Sequence, residues 1–120
     1  MKIIIPTEEK NSEGNVSDIF GRAKYFAVYD SEKDIYDFVE NIGGKSVNGA
    51  GIKAAQQVID LKADAVILPR IGKNGADLLE AADIKLYKQE ASKIKANLKS
   101  FKNGDLLSLD EVHAGFHGGV

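Results

Sequence analysis

Ala65-Val66-Ile67-Leu68-Pro69-Arg70-Ile71-Gly72-Lys73-Asn74-Gly75-Ala76-Asp77-Leu78-Leu79-Glu80-Ala81-Ala82-Asp83-Ile84-Lys85-Leu86-Tyr87 decides the fold. Ala65 to Leu68 is apolar without polar alternation, which predicts a strand covered on both faces and central in its sheet. Pro69 to Lys73 form a loop. Asn74 with Asp77 three residues on approximates a capping box and predicts a short helix. Leu78, Leu79 and Ala82 are its expected buried face. Ile84 to Tyr87 reads as a second strand, so the stretch is a βαβ unit with parallel strands and a right-handed crossover.

Upstream, Ile52, Ala55, Val58 and Ile59 recur at helical spacing and predict a helix ending near Leu61. Tyr25 to Tyr29 and Ile35 to Val39 predict a β-hairpin turning at Asp30 to Asp34. Ile3-Ile4-Ile5 is a further strand, ended by Pro6, and residues 7–19 read as an exposed polar loop. Downstream, Ala91, Ile94, Leu98 and Phe101 predict a helix over Ala91 to Lys102, stopped at Asn103-Gly104. The order β-β-β-α-β-α-β-α implies an α/β domain: a three-layer α/β/α architecture around a five-stranded mixed sheet. It is expected to occupy residues 1–104, leaving 105–120 as a solvated, partly disordered tail.

Composition narrows the function. The 120 residues are 43% hydrophobic, enough to build a core without disulfides, and there is no cysteine. Thiolate nucleophiles, four-thiolate zinc sites and Cys-ligated iron–sulfur clusters are therefore excluded within this chain. The net charge of -2 argues against a nucleic-acid binder. No run approaches the ~20 apolar residues of a membrane span, and Ile3 to Ile5 is too short for a secretory signal core. A cytoplasmic protein is the expectation. Neither a Gly-x-Ser-x-Gly elbow nor an HExxH pair is present, which points away from an enzyme.

Three loops should converge beyond the carboxyl ends of the parallel strands, where such sheets bind ligands. Gly49 and Gly51 stand at the start of one predicted helix, Gly72 and Asn74 at the start of another, so free N–H groups and helix dipoles favour an anion there. Neither loop is a dinucleotide fingerprint or a Walker loop. Val16-Ser17-Asp18-Ile19-Phe20-Gly21-Arg22 adds a hydroxyl at Ser17, a close-approach glycine at Gly21 and an anion-forking Arg22. His113 and His117 are spaced for a metal pair, although Gly115, Gly118 and Gly119 oppose a helix around them. A small anion- or nucleotide-binding regulatory module is one reading of these loops.

The chain also resembles a known family. Lys2-Ile3-Ile4-Ile5-Pro6, Val16-Ser17-x-x-Phe20-Gly21-Arg22-Ala23-x-x-Phe26, Gly49-Ala50-Gly51-Ile52-x-Ala54-Ala55-Gln56, Ile71-Gly72-x-Asn74-Gly75 and Ala82-Asp83-Ile84-Lys85-Leu86-Tyr87 are similar, in order, to the NifX/NifB-type dinitrogenase iron–molybdenum cofactor biosynthesis domain. The resemblance implies a ribonuclease-H-like fold without nuclease activity. It implies a non-enzymatic carrier of an iron–sulfur or iron–molybdenum cofactor precursor, working with cluster-assembly proteins. The implied pocket residues are Ser17, Phe20, Gly21 and Arg22, which join Gly49, Gly51, Gly72 and Asn74 of the helix starts as the candidate binding set. Family members that bind cofactor often carry His before the Phe-Gly pair; this chain has Ile19, so an anionic cluster would be held by N–H groups and arginine.

Overall fold

A computed structural model describes residues 1–109, and His113 and His117 lie outside that range. The described chain runs β1 (Lys2–Thr7), β2 (Tyr25–Asp30), β3 (Ile35–Glu40), α1 (Ala50–Asp60), β4 (Ala65–Leu68), α2 (Lys73–Ala81), β5 (Lys85–Lys88) and α3 (Ile94–Lys102). The strands form one mixed sheet in the order β3-β2-β1-β4-β5. β1 pairs antiparallel with β2, Ile4 opposite Val28, and parallel with β4, Ile4 opposite Val66. β4 and β5 are parallel, so the expected βαβ unit is present.

Both faces are covered at the inner strands, which is why β1, β2 and β4 carry apolar runs, while the edge strands β3 and β5 are largely exposed or half-buried. Ile4, Phe26, Val66 and Leu68 pack against Ala54, Ala55 and Val58 of α1 and Leu79 of α2. Ile3, Ile5, Ala27, Tyr29, Ala65 and Ile67 pack on the other face against Ile94 and Leu98 of α3. The result is a helix layer, a sheet and a second helix layer.

Several local expectations are corrected. The centre of the sheet is β1; β4 lies one strand from the edge. Pro6 does not end β1 but pairs with Phe26 inside it. Its carbonyl accepts from Ser17 N–H at 2.7 Å, so its backbone polar side faces the following loop, where a missing N–H breaks no ladder bond. That loop is not simply exposed. Gly14, Val16 and Ser17 are buried, with Val16 N–H donating to Ser92 and Ile94 N–H donating to Gly14. Ile52 is exposed; the inner face of α1 is Ala50, Ala54, Ala55 and Val58. Ala82 is exposed at the end of α2, whose buried residues are Gly75 and Leu79.

The third helix begins at Ile94, not Ala91. Fully buried Asn97 explains this. Its side-chain oxygen accepts from Glu90 and Ala91 N–H at 2.8 and 3.1 Å, and its amide donates to the Ala91 and Lys93 carbonyls, both at 2.7 Å. That set of bonds fixes a non-helical entry. At the other end Asn103 caps the helix and Gly104 turns with φ 76°, as expected. Beyond it Leu106 and Leu109 are buried, and Ser108 bridges antiparallel to Tyr87.

The hairpin is locked to α3 through Tyr29, which is buried with its ring in tilted contact with that of Tyr36. Its hydroxyl donates to Asp34 and accepts from Lys102 Nζ, both at 2.6 Å. The bond to Tyr29 raises the Lys102 pKa above its usual value.

Candidate functional site

At the carboxyl ends of β1 and β4 lies a cleft of about 680 Å³. Three segments wall it: Asp18 to Gly21, Gly49 to Ile52, and Arg70 to Gly75. The fold brings Phe20, Gly21, Gly49, Gly51, Gly72 and Asn74 of the expected set together there.

Its floor is made of helix starts. α1 begins after Gly49 and α2 after Gly72, and neither N-cap has a side-chain hydrogen bond. The expected Asn74–Asp77 capping box is absent, because α2 starts earlier, at Lys73, and Asp77 instead pairs with Lys73 at 2.7 Å. Each helix therefore presents first-turn N–H groups without a partner among the described residues at its positive end. The two starts touch: a Cβ on Gly75 would lie 3.3 Å from the Gly51 carbonyl oxygen. The Phe20-Gly21 turn closes on them, and a Cβ on Gly21 would meet Gly51 N at 2.9 Å. Gly21 is thus required for close backbone approach, and Gly49, at φ 68°, for a left-handed turn. Gly51 and Gly72 differ. A Cβ at either would meet nothing within 4 Å, so the fold demands glycine at neither.

Charge in the cleft is mixed. Arg70 is exposed and has no hydrogen bond or ion pair among the described residues. Lys73 is partly neutralised by Asp77, which raises its pKa by hydrogen bond and charge. Asp18 contributes a carboxylate to the wall, and Ile19 is half-exposed beside it. Among the described residues no three His, Cys, Asp or Glu side chains gather to hold a metal ion.

Two expected residues lie elsewhere. Ser17 is buried, its hydroxyl donating to Glu8 at 2.9 Å. Arg22 lines a neighbouring depression of about 410 Å³. Its guanidinium donates to the Ser46 and Val47 carbonyls, so it holds the loop that leads into α1.

Sequence reasoning passed over Asn41. It is buried, donates to the Phe20 and Gly21 carbonyls at 3.1 and 3.3 Å, and accepts from Gly43 N–H at 3.0 Å. Gly43 in turn is pressed against Ala50, where a Cβ would come within 2.4 Å of the carbonyl oxygen. Asn41 thus ties two cleft walls together. The signal available was a polar residue directly after an apolar strand and before a Gly-Gly turn.

No helix among the described residues is long and apolar enough to cross a membrane. Comparison with known proteins places the chain in a family. The chain is similar to a proposed NifB protein from Thermotoga, at 31% identity and a TM-score of 0.78, covering 90% of this chain and 92% of that one. It is similar to the apo form of the orange protein from Desulfovibrio gigas, at 28% identity and a TM-score of 0.84, covering 89% and 91%. An uncharacterised protein of Methanocaldococcus jannaschii shares 25% identity over 109 residues, 88% of this chain and 89% of its own. The family described as dinitrogenase iron-molybdenum cofactor matches residues 1–104, and the chain belongs to it.

Proposed function

We propose that this protein is a non-enzymatic carrier that holds an anionic iron–sulfur or iron–molybdenum cofactor precursor in the cleft between α1 and α2. The observation that carries the reading is the convergence of two helix N-termini without side-chain caps on one cleft, beside Arg70, which has no partner among the described residues. Peptide N–H groups and a guanidinium suit a polyanion whose charge is spread over several atoms. The donor set does not suit direct ligation of iron, since the described side chains offer no thiolate or imidazole at the cleft. The cluster is therefore cargo. Gly51 and Gly72 leave room for it against the backbone. Ser17, Arg22 and Asn41 hold the surrounding loops.

The name of one structural relative supports ligand binding, since an apo form is distinguished for it. Exchange with cluster-assembly proteins, a cytoplasmic location and the ribonuclease-H-like relation implied by the resemblance belong to the same reading. So do His113 and His117 as candidate metal ligands.

The test is anaerobic incubation with a thiolate-capped iron–sulfur cluster, then desalting, metal analysis and visible absorption. Retained iron with a charge-transfer band, lost in Arg70→Ala, is the expected result. No retained iron overturns the carrier reading. Binding of inorganic phosphate or a nucleotide instead, with the same dependence on Arg70, would favour the second reading, a small anion-binding regulatory module.

A further inference from the structure

We propose that Asn48 is a site of spontaneous deamidation whose product, a carboxylate next to the cleft-lining Gly49, lowers the affinity of the cleft for anions; the second half rests on the function proposed above. The chain has three Asn-Gly pairs: Asn48-Gly49, Asn74-Gly75 and Asn103-Gly104. Ring closure needs a glycine amide free to reach the asparagine side-chain carbonyl and a backbone able to turn. Gly104 N–H is committed to the Phe101 carbonyl at 3.0 Å. Asn74 and Gly75 lie in the first turn of α2, where helical torsions are fixed, and Gly75 packs against Ile71.

Asn48-Gly49 has neither restraint. Asn48 is exposed and outside regular structure. Neither its side chain nor the Gly49 N–H has a hydrogen-bond partner among the described residues. A Cβ on Gly49 would meet nothing within 4 Å, so there is room for a five-membered ring.

The Gly49 amide nitrogen attacks the Asn48 side-chain carbonyl carbon. A carbon–nitrogen bond forms, the side-chain amide bond breaks, and ammonia leaves with the Gly49 amide proton. Water then opens the succinimide at either carbonyl to give aspartate or isoaspartate. Water enters, ammonia leaves and nothing is oxidised. The new negative charge adjoins Gly49, the N-cap of α1. The helix dipole favours it there, and it takes up positive potential that would otherwise attract a bound anion.

Wild type and Asn48→Gln are aged at mildly alkaline pH and digested at intervals. The expected result is a gain of about 1 Da, the signature of amide-to-acid conversion, first in the wild-type peptide containing Asn48. Asn48→Gln should show no such gain at this position. No gain at Asn48, or equal rates at all three pairs, overturns the modification. Fresh wild type, the aged form separated by charge, and Asn48→Asp are then titrated with inorganic phosphate and a thiolate-capped iron–sulfur cluster. Affinity for the probe that the fresh protein takes should fall by about fivefold or more in both altered forms. Equal affinity overturns the second half. A fresh protein that takes neither probe refutes the anion-carrier reading, and the affinity half falls with it, while the mass gain still decides the modification.

Discussion

Replacing Gly51 by alanine separates what the fold needs from what the cleft needs. Gly51 is the second residue of α1, and a Cβ there meets nothing within 4 Å. Alanine at a compatible position restricts the unfolded chain and should stabilise the protein by about 0.4–1 kcal/mol. For a domain of this size that is a rise of roughly 2–4 °C in Tm. Gly51 lines the cleft, so on the function proposed above the same methyl takes up space beside the first-turn N–H groups. Loss of one charge-assisted hydrogen bond costs about 1.5–3 kcal/mol, or roughly 10- to 150-fold in affinity. Gly21→Ala is the contrast, because its Cβ would press on Gly51 backbone atoms at 2.9 and 3.0 Å. Overpacking of that kind costs about 1–3 kcal/mol. Thermal unfolding and anaerobic cluster retention measured on both variants give the assay. A Gly51→Ala protein that is more stable yet retains cluster like wild type would refute the reasoning, because the cleft would then not be the binding site.

Asn41→Ala removes three hydrogen bonds and leaves two carbonyls and an N–H short of partners in the wall of the cleft; urea unfolding should show a loss of about 2–3 kcal/mol. Asn97→Ala should cost about 2–4 kcal/mol, since four bonds at the α3 entry depend on one side chain, and hydrogen exchange should accelerate first over residues 90–97. Lys102 has a raised pKa because it donates to Tyr29, so its contribution is present below the unfolded value of about 10.4 and is lost as pH rises through the folded value. The stability difference between wild type and Lys102→Gln should accordingly shrink at strongly alkaline pH; a difference that stays constant would disprove the coupling.

β1, β2 and β4 were legible because both sheet faces are covered there, so each announces itself as a β-branched or apolar run. The hairpin and the βαβ unit followed from local signals, and the convergence of Gly49, Gly51, Gly72 and Asn74 followed from the parallel strands. What escaped depends on partners distant in sequence. Pro6 continues β1 because its carbonyl serves Ser17 and not a ladder. The start of α3 is set by the side chain of Asn97, which reaches back to residues 90–93. Arg22 looked like an anion ligand by residue type, but the carbonyls of Ser46 and Val47 claim its guanidinium. Asn41 carried no motif at all; its role exists only once two turns are brought together.

The central position of β1 has a kinetic consequence. β1 finds one neighbour in the hairpin that directly follows it, but its parallel neighbour β4 begins only at Ala65. Closing that interval is the slow, entropically costly part of folding, as for any pairing of distant segments. The cleft needs the start of α2, which follows β4. A nascent or truncated chain that stops before Gly72 therefore has β1, the hairpin, α1 and β4 but lacks one wall of the cleft, which is complete only once α2 has been synthesised and docked.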